Sequence, residues 1–347
     1  LYGNLKCNNP DVVIFDEDVN LFFEKLKQGH HIIYNSIQPD HIHASPPCQG
    51  FSSANRNGGK DDEKNNKLTD VFIKIVHFYR PRTVSMENVV GMCNQSNIHY
   101  AQMVVASLIR MGYQVRLQIL DSSHYGDPQC RHRIFVVAAK CGCKLPSLPI
   151  ITHGSDGDKL PIVTVKDVLG DLEPHQPTEG SGMVVLAGGQ QVGNHNDNGT
   201  SLQSEGGQLI AGRPAMTVMK GNYVEHYSQK RALTVREFAR LQSFPDSYRF
   251  FGSHTKVRSM IGNAVPVNFA KAISESVMLS YNYGILQSES SSSGNSAKQR
   301  SPMSEIYISN DNYDDENDWW NRIPPEIDAI ITSPPRRLKR RHDDFLS

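Results

Sequence analysis

Residues 65–88 read "NNKLTDVFIKIVHFYRPRTVSMEN". In the first part, Leu68, Val71, Phe72, Ile75, Val76 and Tyr79 recur at three- and four-residue spacing and fall on one face of a helix. Pro81 cannot continue that helix, because it lacks an amide donor and its ring collides with the preceding turn. The next run, "RTVSM" at 82–86, has strand length and leads into Glu87-Asn88. Working outward, "DVVIF" at 11–15 and "HIHAS" at 41–45 are strand-length runs upstream. Downstream, "HYAQMVVASLIRMG" at 99–112 repeats the helical spacing and offers Gly112 as its stop, before the strand-like "YQVRLQIL" and "RIFVVAAK". Strand alternating with helix predicts an α/β fold with a mostly parallel sheet covered by helices.

The totals bound the possibilities without choosing among them. A chain of 347 residues can bury a core that needs no disulfide or metal. Lys plus Arg is 36 and Asp plus Glu is 36, so no global cationic field exists, and a polyanion must be met by a local patch. Six cysteines without a signal peptide or a long apolar span fit a reducing compartment and no membrane role. Cys141-Gly-Cys143 resembles half a metal site, but no second pair with matching spacing occurs after it, so no metal is expected.

From 174 to 212 the chain holds nine glycines and no Lys or Arg, which predicts an irregular recognition or lid segment more than a second packed core. Order returns at "TVREFARLQSFPDSYRF", where Thr234 and Glu237 have capping-box spacing. A further helix is expected in "VPVNFAKAISESVMLSYN", with Pro266 in its first turn. Beyond about residue 285, a serine run, the acidic "NDNYDDENDWW" and the basic "RRLKRR" have the composition of a disordered tail.

In an open parallel sheet, ligands sit outside the carboxyl ends of the strands. "VVIF" is followed by Asp16, Glu17 and Asp18, "HIHAS" by Pro46-Pro47-Cys48, and "TVSM" by Glu87-Asn88, so carboxylates and a thiol are expected along one edge. Acyl transfer by Cys48 would want a histidine base and oxyanion donors, and these motifs hold no such histidine. A cytosine ring asks for something else. Its carbon 5 becomes nucleophilic only after a nucleophile adds to carbon 6, which Cys48 can do, while an acid such as Glu87 neutralises charge at N3. Pro46 and Pro47 would hold the thiol outward, and the small-residue loop "GFSSANRNGG" would close over an extruded base.

In sequence order, "SPPCQGFS", "MENVVG", "GDPQCRHRIFVVAA", "ALTVREFARLQSFPDSYRFFGS" and "MIGNAVPVNFAKAI" closely resemble the successive motifs of DNA cytosine-5 methyltransferases, over roughly residues 11 to 280. The resemblance implies a Rossmann-like methyltransferase fold with a small irregular target-recognition region. It makes Cys48 the nucleophile, Glu87 the residue at N3 and the exocyclic amine, and Asn88 a brace for the Pro-Cys loop. Arg131 and Arg133 would contact the flipped cytosine and help hold the cysteine loop. The implied cofactor is S-adenosylmethionine, with Asp18 accepting from the adenine amine beside Val19, and with Asn263 and Val265 returning to the same pocket. The implied partner is double-stranded DNA, and the implied compartment is the nucleus.

The implied organisation is a catalytic core at 1–145, target recognition at 146–230, a return to the core at 231–283 and a tail at 284–347. The tail could dock chromatin proteins. The family's opening strand, ending in Phe-x-Gly-x-Gly, is not found, and "LYGNLKCNNP" resembles the helix that comes after it. A chain starting about 30 residues late, one strand-helix-strand unit, is expected to bind the cofactor weakly or not at all. With no basic residue between 174 and 212, phosphate contacts would fall to Arg56, Lys60, Lys220, Lys230 or Arg231. "SPPCQGFSSANRNGGKDDEKN" is similar to fungal members associated with silencing of repeated DNA, although those commonly have Gln-Thr where this chain has Asn88-Val89. Two competing readings are a tRNA methyltransferase, whose typical Cys-Phe-Thr is missing, and a chromatin-bound regulator without a working cofactor pocket.

Overall fold

The computed structural model describes residues 2–28, 38–47, 62–172, 182–187, 189–195, 207–218 and 224–290, with backbone alone at 2, 62–67 and 282–290. The chain divides into two compact units. One comprises Asn35–Ile119, Ile134–Leu145 and Gly284–Ser347, and the other Leu1–Tyr34, Leu120–Arg133 and Pro146–Tyr283.

The first unit is built on a four-stranded sheet in the order β1-β2-β4-β3, with β1 at His41–Ala44, β2 at Thr83–Val89, β3 at Tyr113–Asp121 and β4 at His132–Lys140. β1 and β2 are parallel, with His41 opposite Thr83 and Ala44 opposite Met86. Their crossover contains the helix Asp62–Tyr79, and the helix Ile98–Arg110 joins β2 to β3. Phe72 and Val76 of the first helix, and Ala101, Val104 and Leu108 of the second, are buried with Val84, Met86, Val115, Ile134 and Val136 of the strands. Burial of each large aliphatic side chain contributes about 1.5 to 3 kcal/mol.

Both helix stops fall where the sequence placed them. Arg80, at φ 48°, turns the chain out of the first helix before Pro81, and Gly112, at φ 83°, ends the second, a conformation that only glycine adopts without strain. The sheet is less parallel than expected. β4 returns beside β3 from the Ser122–Arg131 hydrogen bond to the Cys141–Gly112 one, so it runs against its neighbour. A short return at Ser122–Arg131 leaves no room for the crossover that a parallel strand needs.

"DVVIF" is a correction. Residues 12–16 form no strand, and Val12 and Val13 are 50% and 70% exposed. An extended run becomes a strand only by pairing its amides and carbonyls, and none of the described strands pairs with it. Asp16, Glu17 and Asp18 therefore do not follow a strand of this sheet.

The second unit holds an apolar cluster of its own around Leu169, Leu233, Phe238, Leu241, Val257 and Ile261. Thr234 and Glu237 make the expected capping box at the start of the helix Val235–Arg240. Val267–Ser290 is the expected long helix, and the carbonyl of Pro266 accepts from Ala270. The glycine-rich region is more ordered than its composition suggested. Val184–Val185 and Gln191–Val192 pair as a short hairpin, β5 and β6, and Val184, Leu186 and Val192 are buried with Leu172. Alternate apolar residues on so short a hairpin need only one neighbouring leucine to make a small core.

Candidate active site

Glu87 and Asn88 occupy the carboxyl end of β2 and are almost fully buried, at 6% and 1% exposure. Each reaches the segment that leaves β1. The Ser45 hydroxyl donates to Glu87 Oε2, and Asn88 Nδ2 lies 3.4 Å from the carbonyl of Pro46. Asn88 Oδ1 also accepts from the Val89 amide at 2.9 Å, which fixes the side-chain amide in one orientation. Ser45 and Pro46, three and two residues before Cys48, are thus held from β2. Cys48 itself, like Arg56, Lys60 and Lys220, lies outside the described residues.

In the other unit, Arg131 is 2% exposed. Its Nη1 donates to the carbonyl of Val218 at 2.9 Å, and its Nη2 to those of Gly262 at 2.8 Å and Ala264 at 3.2 Å. A guanidinium suits this work because its planar fork reaches two separate carbonyls at once and stays charged. Gln129 and Gln242, both fully buried, continue the frame. Gln129 Nε2 donates to Gln242 Oε1 and to the carbonyl of Leu241, its Oε1 accepts from the Val218 amide, and Gln242 Nε2 donates to the carbonyl of Ile261. The turn at Asn263 is thereby held on both flanks, while the Asn263 side chain is exposed and Val265 half-buried. Arg133 is 9% exposed, and its Nη1 donates to the carbonyl of His132 at 2.7 Å.

Asp18 caps the helix Val19–Lys27. Its Oδ1 accepts from the Asn20 amide and the Asn20 side chain, both at 2.8 Å, so an exposed carboxylate is held at a helix N-terminus. Val19 is half-buried beside it. Phe15, 41% exposed, meets Phe22 at 5.6 Å between ring centres.

Arg231, expected among the phosphate contacts, is used internally. Its Nη1 and Nη2 grip the two oxygens of fully buried Glu237 at 2.8 and 2.6 Å, and its Nε donates to Gln229. Burial alone would favour the neutral form of Glu237, but Arg231 and the Thr234 amide hold its carboxyl below the ordinary range. A carboxylate this deep needs a cation, and Arg231 holds both of its oxygens, with His226 Nε2 3.7 Å from Oε1. Sequence reasoning passed over Ser45, Gln129 and Gln242. Only Ser45 left a signal, an alternation of polar residues through β1 and β2.

The family described as C-5 cytosine-specific DNA methylase matches residues 8–203 and 176–278. Among curated proteins, a type II methyltransferase of Haemophilus parahaemolyticus, M1.HphI, is 29% identical over 79% of this chain and 76% of its own. M.AplI of Arthrospira platensis is 31% identical over 70% and 69%. Among solved structures, an E. coli prophage chain described as a DNA modification methyltransferase superposes with a TM-score of 0.64 at 20% identity, covering 81% of this chain and 89% of that one. That likeness is one of fold.

Proposed function

The chain belongs to the C-5 cytosine-specific DNA methylase family, and from that premise we propose that it methylates carbon 5 of cytosine in DNA through a covalent Cys48 adduct on an extruded base. The observation that carries this reading is the buried Glu87, tied through Ser45 to the segment that delivers Cys48. A carboxyl group here meets a flipped base rather than bulk water. As the Cys48 sulfur bonds to carbon 6, Glu87 protonates N3, and the electron pair of the broken double bond becomes available at carbon 5. Once carbon 5 has taken up a methyl group, its proton passes to water, Cys48 departs as the carbon 5–carbon 6 double bond re-forms, and the N3 proton returns to Glu87.

The family's cofactor is S-adenosylmethionine, which supplies an electrophilic methyl group when bound. The residues present fit its adenine end. Asp18 offers an exposed, fixed acceptor suited to an exocyclic amine, and Val19 and Phe15 offer apolar surface suited to a purine. Asn263 and Val265 stand on the turn braced by Arg131 and Gln242 and would complete the pocket. Asn88 would steady the Pro46 carbonyl, and Arg131 would act as a brace. Arg133 would contact the flipped cytosine. A nuclear, chromatin-associated setting is supported by the basic run at 336–341 and the acidic one at 310–318, both outside the described residues.

The test is a mechanism-based trap. Full-length protein with S-adenosylmethionine and DNA carrying 5-fluorocytosine is expected to give a covalent adduct that maps to Cys48 and is lost in Cys48→Ala. No adduct with the wild-type protein would sink the catalytic reading in favour of a DNA-bound regulator.

A further inference from the structure

β1 and β2 carry a file of polar side chains on one face. The parallel register places His41 opposite Thr83 and His43 opposite Ser85, and the next pair in that period is Ser45 and Glu87. His41 Nδ1 lies 2.9 Å from Thr83 Oγ1, and its Nε2 lies 2.9 Å from Ser85 Oγ. His43 Nδ1 lies 2.8 Å from the same Ser85 oxygen. On the opposite face, Val84 and Met86, with Ile42 and Ala44 against them, enter the apolar core.

Thr83 and Ser85 are 3% and 1% exposed, and valine at either place would cost less to bury. The file is kept polar and fully engaged. Ser85 has one proton and two imidazole neighbours, so it can donate to one ring at most and accepts from at least one. Burial pushes the proton affinity of His41 down to about 4, with His43 adding to the effect. Burial lowers that of His43 as well, against the opposing pull of Glu87. At neutral pH the file is therefore uncharged, and it ends at the carboxyl group of Glu87.

We propose that Ser45 is a positioning residue for the general acid: by donating to Oε2 of Glu87 it makes Oε2 the acceptor oxygen and Oε1 the oxygen that bears the proton for N3. A protonated carboxyl has one donor oxygen and one acceptor oxygen, and nothing intrinsic chooses between them. A neighbouring hydroxyl does. In the step concerned, the sulfur–carbon-6 bond forms as the Oε1 proton moves to N3, and the proton returns to Oε1 when Cys48 leaves. The role rests on the methyl-transfer reading, and Ser45 stands directly after β1, three residues before Cys48 in the sequence.

The test uses full-length protein and two variants, Ser45→Ala and Ser45→Thr. The readouts are steady-state methylation and exchange of the cytosine carbon-5 hydrogen with solvent, which needs the addition step and no cofactor. Ser45→Ala is expected to slow both exchange and kcat about tenfold at unchanged KM for DNA, and Ser45→Thr, which keeps the hydroxyl, to stay within about threefold of wild type. Exchange by Ser45→Ala at the wild-type rate overturns the role of Ser45 and leaves methyl transfer standing. A loss confined to KM in both variants overturns it too, since that marks a displaced loop. Wild-type protein that neither exchanges hydrogen nor forms the 5-fluorocytosine adduct overturns the methyl-transfer reading, and the Ser45 role with it.

Discussion

Replacing Arg131 by methionine would keep much of its buried volume, remove this donor from the carbonyls of Val218 and Gly262, and leave that of Ala264 with the longer contact from Gln242 Nε2 at 3.4 Å. Each buried acceptor left unsatisfied costs about 1 to 3 kcal/mol, so the expected loss is about 2 kcal/mol or more, read by denaturant unfolding. Arg131→Lys is expected to recover only part of it, because an ammonium cannot reproduce the fork that spans two strands of backbone. Cys130, next in sequence, is a contrasting case. Burial pushes its thiol up to about 11, so it stays protonated and unreactive at neutral pH. At Glu87, substitution by Gln keeps the shape and removes the acid, and methyl transfer is expected to fall about hundredfold while the unfolding midpoint holds. Such single side chains were partly legible. The carboxylate of a Met-Glu-Asn run could be picked out from chemistry alone, but the bracing duty of Arg131 depends on carbonyls 87 to 133 residues away.

Among elements, the start of the helix Val267–Ser290 is held by Asp127, which lies in the turn before β4. Its Oδ2 accepts from the Phe269 amide at 3.1 Å, and the Ser243 hydroxyl donates to Oδ1. Burial pushes this carboxyl up to about 7, against the opposing hydrogen bonds from Ser243 and the Phe269 and Asn268 amides, with Asp121 adding to the rise. A carboxyl that binds its proton more tightly when folded contributes stability that is complete below pH 4 and lost as the pH rises through 7. Integrated over that window the loss is about 4 kcal/mol. Stability measured from pH 4 to 8 is expected to decline across this range, and Asp127→Asn to flatten the decline; an unchanged slope in the variant would assign it elsewhere. The helix was plain from its apolar spacing. Its distant anchor was not, because Asp127 and Phe269 meet only in the folded chain.

For the molecule as a whole, equal numbers of acidic and basic residues mean that DNA must be held by a few local cations. Lys230 is exposed, whereas Arg231 beside it is locked onto Glu237. Lys230→Ala is expected to weaken DNA binding evenly across sequences and to reduce the slope of log K against log salt by about 1, with folding unchanged. Arg231→Ala is expected to do the reverse, destabilising the fold by about 3 to 5 kcal/mol because a buried carboxylate loses its partner. Salt titrations and denaturation curves on the two variants separate these outcomes. The sequence by itself determined the alternation of helix and strand, the helix stops, the capping box at Thr234 and the order of motifs that carries the family. Those features rest on local periodicity, on the backbone limits of proline and glycine, and on side-chain chemistry at fixed spacing. Only the tertiary structure decided that "DVVIF" goes unpaired, that β4 runs against β3, that Arg231 turns inward, and that Ser45 meets Glu87. Each of those depends on which partner a polar group finds once distant segments pack, and hydrogen bonds of that kind are set by the fold rather than by neighbours in the chain.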